Sequence, residues 1–167
     1  MQTVNDEIKE LYGGFVRVRV CGICISDGKI LLVNHSLYSK NGFFWAPPGG
    51  GIQFGESAVE ALQREFREET GLTVEVGELL FVNEHIQAPL HAVELFFEIR
   101  SFQGVLSKGN DPEISNSGQI IEEVKFMGWN DIREFDSDQV HSVFSRLASL
   151  EGFRKLGKYI SGVNNHF

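Results

Sequence analysis

The chain is expected to fold as one α/β domain, a mixed β-sheet covered by helices. Three observations predict this. Its 167 residues suffice for one domain with a real core and are few for two. Strand-like runs dominate the first two-thirds, and helix-like segments flank them. No repeat, low-complexity tract or linker divides the chain. The whole of 1–167 therefore reads as a single domain, with an N-terminal extension at 1–14 and a C-terminal helical segment at 136–167.

Residues 3–12 read as a short helix stopped by Gly13 and Gly14. Runs 15–25 and 29–34 are rich in β-formers and are joined by Ser26, Asp27 and Gly28, a strong hairpin signal. Residues 39–44 read as a loop. Trp45 then leads into Pro47, Pro48, Gly49, Gly50 and Gly51, which exclude a helix or an ordinary central strand. Ser57 and Glu60 form a capping box. The helix they open should reach about Glu69, with Gly71 taking the left-handed position beyond it.

Runs 72–76 and 79–87 read as two strands around Gly77. In the strand at 92–102, Val93, Leu95, Phe97 and Ile99 share one face, and Glu94, Phe96 and Glu98 the other. Residues 104–118 form a long polar loop, a length usually associated with mobility or function. A further strand follows at 124–129. The last helix is expected from near Asp138, with Val140, Val143, Phe144 and Leu147 in one buried stripe. Phe153, Leu156 and Ile160 continue it after Gly152.

A hydrophobic content of 42% with 11% aromatics describes a globular protein. A net charge of -8 argues against gripping duplex nucleic acid, which needs a basic face. It leaves nucleotides open, because a bound cation reverses the local sign. No apolar run approaches the ~20 residues that span a bilayer, and the first residues lack the basic and apolar regions of a signal peptide. A cytoplasmic enzyme or binding protein is expected. Cys21 and Cys24 are spaced as half a zinc site or a redox pair. On a strand, however, positions three apart face opposite ways, so two separate reduced thiols are expected.

The most informative segment lies between Gly50 and Leu72, where Glu56, Arg64, Glu65, Phe66, Glu68, Glu69 and Gly71 recur at helix-compatible spacing. Like charges at i, i+3 and i+4 repel. At ~100° per residue, Glu65 and Glu69 fall on the half of the helix that carries Leu62 and Phe66. Gln63, Arg67, Glu60 and Arg64 collect opposite, and Glu68 sits at the edge. Carboxylates beside a buried stripe lose much of their hydration if left unpaired. A hard divalent cation, which takes oxygen ligands and substrate phosphates, offsets that loss. The fork of Arg64 could orient a glutamate, although its angle also suits an ordinary surface arginine. The glycine run would bring backbone carbonyls close to such an ion.

These residues resemble the Nudix box of MutT-like hydrolases. Gly50, Glu56, Arg64, Glu65, Phe66, Glu68, Glu69, Gly71 and Leu72 fill its defining positions, and 45–51 looks like its usual approach. The resemblance implies an α/β/α sandwich and metal-dependent hydrolysis of the pyrophosphate linkage in a nucleoside diphosphate joined to a group X, such as a nucleotide sugar. It implies Glu65, Glu69 and the Gly50 carbonyl as ligands of Mg²⁺ or Mn²⁺. Glu68 would be a further ligand or water activator, Arg64 would orient a box glutamate, and Glu56 would be auxiliary.

The general base varies in position within the family. Glu94, Glu98, Glu122 and Glu123 are the candidates outside the box, with Glu123 preferred. Phe43, Phe44 and Trp45 would stack a base, or at least two of them would pack in the core, which is the favoured reading. His35, Tyr38, Asn83 and His85 lie on segments that border a pocket, and Pro89 lies near a position that carries proline in ADP-ribose-cleaving relatives. Two other functions stay open: a nucleoside triphosphate pyrophosphatase that clears damaged nucleotides, and a catalytically silent nucleotide sensor, which the full set of glutamates disfavours. The expected partner is a nucleotide-derived small molecule, with no membrane. Homodimers are common in such enzymes, and loop 104–118 or the N-terminal segment could contribute to one.

Overall fold

A computed structural model describes residues 13–36, 42–88, 90–109 and 121–162. The expected helix at 3–12, Tyr38, Pro89 and residues 110–118 of the long loop lie outside them. In chain order the elements are β1 (Val16–Ile23), β2 (Ile25–Ser26), β3 (Lys29–His35), β4 (Phe44–Ala46), β5 (Gly49–Gly51) and helix α1 (Ala58–Thr70). Then come β6 (Thr73–Gln87), β7 (Leu90–Gln103), β8 (Ile121–Gly128), the short helix α2 (Trp129–Ile132) and β9 (Tyr159–Ile160). Two 3-10 helices, Ser142–Arg146 and Leu150–Lys155, precede β9.

A mixed five-stranded sheet runs β5-β1-β7-β6-β9. The pairs β1–β7 and β6–β9 are parallel, and the others are antiparallel. A second, antiparallel sheet runs β2-β3-β4, with β8 also paired to β3. The β2–β3 turn is the expected hairpin. Asp27 at φ 50 and Gly28 at φ 71 supply the two left-handed residues that match the strand twist.

Strand β3 buries both faces. On β3, Ile30 and Leu32 enter one core cluster with Trp45, Phe81, Phe96 and Phe153, while Leu31 enters a second with Val20, Leu62, Phe66 and Ile99. Phe81 stacks on Phe96 with ring centroids 4.6 Å apart. Cys21 belongs to the first cluster and Cys24 to the second, and both are free thiols. Their divergence is what the strand alternation requires.

Helix α1 docks on the second cluster through Ala61, Leu62 and Phe66. Its start is the predicted capping box: Ser57 Oγ accepts from the Glu60 N–H, and the Glu60 carboxylate accepts from the Ser57 N–H at 2.8 Å. Its end is closed by Gly71 at φ 71 and by the chain after β7, where the Ser107 and Gly109 N–H groups donate to the carbonyls of Thr70 and Glu69. Among the described residues no helix is long and apolar enough to cross a membrane.

Three expectations are corrected. The strands expected at 72–76 and 79–87 are one fifteen-residue strand, β6, with register shifts between Glu75 and Phe81. The irregularity absorbs Gly77, where an added Cβ would come 3.0 Å from the Glu98 carboxylate. The expected α-helix from Asp138 is absent. Trp45 donates to the Gln139 carbonyl and accepts from the His141 N–H, so 139–141 is drawn out alongside β4 and only 3-10 turns follow. The stripe itself is real: Val140, Val143 and Phe144 are buried. The last long strand starts at Ile121, and Trp129 opens α2.

The seat of α1 depends on Gly22, where an added Cβ would lie 2.4 Å from a ring carbon of Phe66. Gly22→Ala is expected to destabilise the protein by roughly 1–3 kcal/mol, as overpacked cores do. Urea unfolding measures this, and an unchanged midpoint would contradict the packing.

Candidate active site

Glu65 and Glu69 lie on the inner face of α1 and are 6% and 3% exposed. What lets two carboxylates sit there is the glycine strand opposite. A Cβ on Gly50 would fall 2.3 Å from Glu65 Oε1, and one on Gly49 would fall 2.0 Å from the Val20 carbonyl oxygen. Only bare backbone fits between β1 and the helix. That closeness also makes contact, because the Gly49 N–H donates to Glu69 Oε2 at 2.8 Å.

Arg64 leaves the outer side of the helix and folds back over the acids. It donates to Glu56 through Nε at 3.2 Å and NH2 at 2.8 Å, to Glu65 Oε1 at 2.8 Å, to Glu68 Oε2 at 3.0 Å and to the Gly51 carbonyl at 3.0 Å. One guanidinium thus gathers three box carboxylates and ties α1 to β5. Its hydrogen bonds to Glu56, foremost, hold its pKa above the ordinary arginine value. The same bonds hold the Glu56 carboxyl below the usual range. The reading of Arg64 as an ordinary surface residue does not survive.

Both buried acids open into a cavity of about 410 Å³. Its floor is the mixed sheet, where residues pair in rows: Arg19, Glu94 and Asn83 in one, Arg17, Ala92 and His85 in the next. Glu94 is 5% exposed. It accepts from Asn83 Nδ2 at 2.8 Å and His141 Nε2 at 3.0 Å, with Arg19 Nε 3.8 Å away. His141 Nδ1 accepts from the Val143 N–H, so Nε2 carries the proton given to Glu94. Burial alone would raise the Glu94 pKa, but His141, Arg19 and Asn83 together outweigh it and hold it at about 2. Burial, then Arg19, lowers His35 to about 4, leaving a neutral imidazole at the cavity wall. Burial also raises the Cys21 thiol well above its ordinary value, which disfavours the thiolate at the cavity wall.

Of the aromatic trio, Phe44 lines the cavity, while Trp45 is core and Phe43 packs against it. His35 and His85 also line it, and Asn83 reaches it through Glu94. The preferred Glu123 does not line the cavity: it is exposed on β8, opposite Asn34 of β3, and pairs with Lys125 at 3.2 Å. Glu122 is likewise exposed, and Glu98 pairs with Arg154. Of the four acids named outside the box, Glu94 alone lines the cavity. Sequence reasoning passed over Arg17, Arg19 and His141. The alternation Arg17, Arg19, Cys21 could have placed the arginines on one face of β1, whereas His141 was hidden by the expected helix.

Among the described residues no three His, Cys, Asp or Glu side chains already converge as a metal cluster. What the chain offers is two buried carboxylates beside the backbone of Gly49 and Gly50, at the wall of an open cavity. That oxygen-only set fits Mg²⁺ or Mn²⁺, which commonly use one or two protein carboxylates and complete their shell with water and substrate phosphates. Glu56 and Glu68, both turned toward Arg64, are the other acids of the box.

The family model for the NUDIX domain matches residues 15–147. The ADP-ribose pyrophosphatase of Methanocaldococcus jannaschii is 38% identical over 96 residues, which cover 56% of this chain and 56% of that protein. The 8-oxo-dGTP diphosphatase of Proteus vulgaris is 30% identical over 86 residues, covering 52% of this chain and 77% of that one. The crystal structure of a MutT NUDIX hydrolase from Burkholderia pseudomallei superposes with a TM-score of 0.60 at 26% identity, covering 70% of this chain and 86% of the other. The chain therefore spans about half the length of the first of these relatives.

The environment of Glu94 predicts an acid limb in stability. A carboxylate with a depressed folded pKa contributes fully above its unfolded value, near 4.5, and loses the contribution as pH falls through about 2. The Glu94→Gln variant should lose less stability than the wild type between pH 5 and pH 2, by up to about 3 kcal/mol. Urea unfolding across that range checks it, and parallel pH profiles would contradict the ion-pair network.

Proposed function

The chain belongs to the NUDIX family, and from that membership we propose that it is a pyrophosphohydrolase that cleaves the phosphoanhydride of a nucleoside diphosphate linked to a group X, such as a nucleotide sugar. The observation that carries this reading is the buried pair Glu65 and Glu69, seated on glycine backbone at the wall of the cavity. A phosphoanhydride repels nucleophiles, so its charge must be met before water can attack. Glu65, Glu69 and the Gly50 carbonyl would hold Mg²⁺ or Mn²⁺. Such an ion, when bound, neutralises phosphate oxygens and acidifies water.

The protein's own groups divide the remaining work. Arg64 fixes Glu65 and Glu68 in one arrangement, with Glu56 as its anchor. Glu68, whose side chain is more exposed (28%) than those of Glu56 (18%) and Glu65 (8%), takes the proton of the attacking water as its oxygen bonds to phosphorus and the bridging P–O bond breaks. Glu94 is unsuited to that step, because two donors, Asn83 and His141, and the Arg19 cation 3.8 Å away surround its carboxylate and hold its pKa at about 2. It serves instead to place Arg19 and His141 in the cavity, where Arg19 meets phosphate charge. A second reading, a nucleoside triphosphate pyrophosphatase, is favoured by the similarity to the Proteus vulgaris 8-oxo-dGTP diphosphatase.

Incubation with a panel of nucleotide sugars and nucleoside triphosphates, with Mg²⁺ and with chelator, tests the proposal. Phosphate-containing products are expected only with the metal, and hydrolysis of none of the panel would refute it. Glu65→Gln and Glu69→Gln should each lower kcat by about 10²-fold or more while circular dichroism stays unchanged. Undiminished turnover by the folded double variant would remove these residues from the chemistry.

A further inference from the structure

Strand β6 outlasts the strand paired with its outer edge. Among the described residues β9 meets that edge at Val82 and Asn83 only, in parallel register with Tyr159 and Ile160. From there on, residues 83–87 of β6 line a groove of about 430 Å³. Successive strand residues face opposite sides of a sheet, so what five in a row share is the backbone edge. Across this edge the Val82 N–H donates to the Lys158 carbonyl. Alternate residues of a strand present their backbone groups to the same side, so those of Glu84 and Ile86 point there too. Such an edge is a template for further strand pairing.

The chain leaving β9 already runs along that edge. Gly162 lies so close to β6 that an added Cβ would fall 2.1 Å from the Glu84 carbonyl oxygen and 3.1 Å from the Ile86 nitrogen. Ser161 and Gly162 line the groove, as do Ser142, Ser145 and Arg146 of the first 3-10 helix. Continued residue by residue, the register of β9 sets Val163 opposite Ile86 and Asn164 opposite Gln87. Each position suits its residue. Ile86 is apolar yet 45% exposed, and Val163 would cover it as a cross-strand neighbour. Asn164 would share the face of Ile160 and Gln87, where serine hydroxyls and a guanidinium match an amide.

We propose that the occupant of this edge is the chain's own segment 163–167, which prolongs β9 along β6 with the Asn164 N–H donating to the Ile86 carbonyl. At about 3.3 Å per residue it passes the end of β6 by its third residue. The groove shares His85, Gln87 and Ser142 with the cavity. The added strand therefore forms the cavity's outer rim, with Asn164 on the cavity side. This contact stands apart from the chemistry of the cavity and holds whatever substrate enters it.

Amide hydrogen exchange of the full chain, followed by NMR, tests the alternation. Asn164 should exchange about tenfold more slowly than Val163 and Asn165, whose N–H groups point away from β6 in this register. Nuclear Overhauser contacts should join the Val163 methyls to Ile86, and the Asn164 side chain to Gln87 and Ser142. A matched pair of prolines separates pairing from mere proximity. Asn164→Pro removes the donor and should speed exchange of the Ile86 amide, bonded in this register to the Gly162 carbonyl, about tenfold. Val163→Pro alters an N–H that faces outward and should leave that rate within twofold. Unchanged signals from β1 and β7 serve as the control for folding, and the wild-type exchange pattern decides even if a proline variant fails it. Uniform exchange across 163–165, contacts of the opposite alternation, or an equal response to the two prolines would overturn the proposal.

Discussion

Two like-charged carboxylates one helical turn apart, both withdrawn from water, set the terms for the structure around them. Glu65 and Glu69 could not persist on the inner face of α1 without compensation. The neighbourhood supplies it in three ways. Arg64 reaches back over the helix to Glu65, backbone N–H of Gly49 serves Glu69, and the glycine strand leaves no side chain in the way. The helix itself is held at both ends, by the Ser57–Glu60 box and by the chain at Ser107 and Gly109. A helix that could fray or slide would carry its acids off the glycines.

A second buried acid balances the far side of the cavity by a different device. Glu94 is held by groups from three elements: the Asn83 amide of β6 and the His141 imidazole before the first 3-10 helix donate to it, and the Arg19 guanidinium of β1 lies 3.8 Å away. The cavity thus places an acid held by an amide, an imidazole and a nearby guanidinium across from an acid pair seated on glycine backbone.

Much of this was legible in the residues. Capping box, left-handed Gly71, Asp27-Gly28 hairpin and the inward placement of Glu65 and Glu69 are local matters, decided by φ preferences and by the ~100° step of a helix. The failures share a cause. The continuity of β6 depends on its pairing with β7, and the extended path at 139–141 on backbone bonds to Trp45, a residue almost a hundred positions earlier. The orienting role of Arg64 was legible, but its further reach to Glu56 and the Gly51 carbonyl was not, because a helical wheel locates Cβ atoms, not the ends of a long, flexible side chain. Glu123 was preferred by nearness to a strand start, yet which sheet that strand joins is a tertiary fact.

The bridge between Trp45 and Val140 carries a consequence for how the molecule comes into being. During synthesis, every acid of the box and the glycines beneath them emerge in the first half of the chain, and Glu94 soon after. The imidazole that engages Glu94 arrives 47 positions later. Until then Glu94 lacks its imidazole partner and the cavity lacks the wall that Val140 and His141 supply. Closing so long a loop is slow compared with making a hairpin. The cavity therefore gains its last wall only once the chain has passed Val140, long after Glu65 and Glu69 have been made.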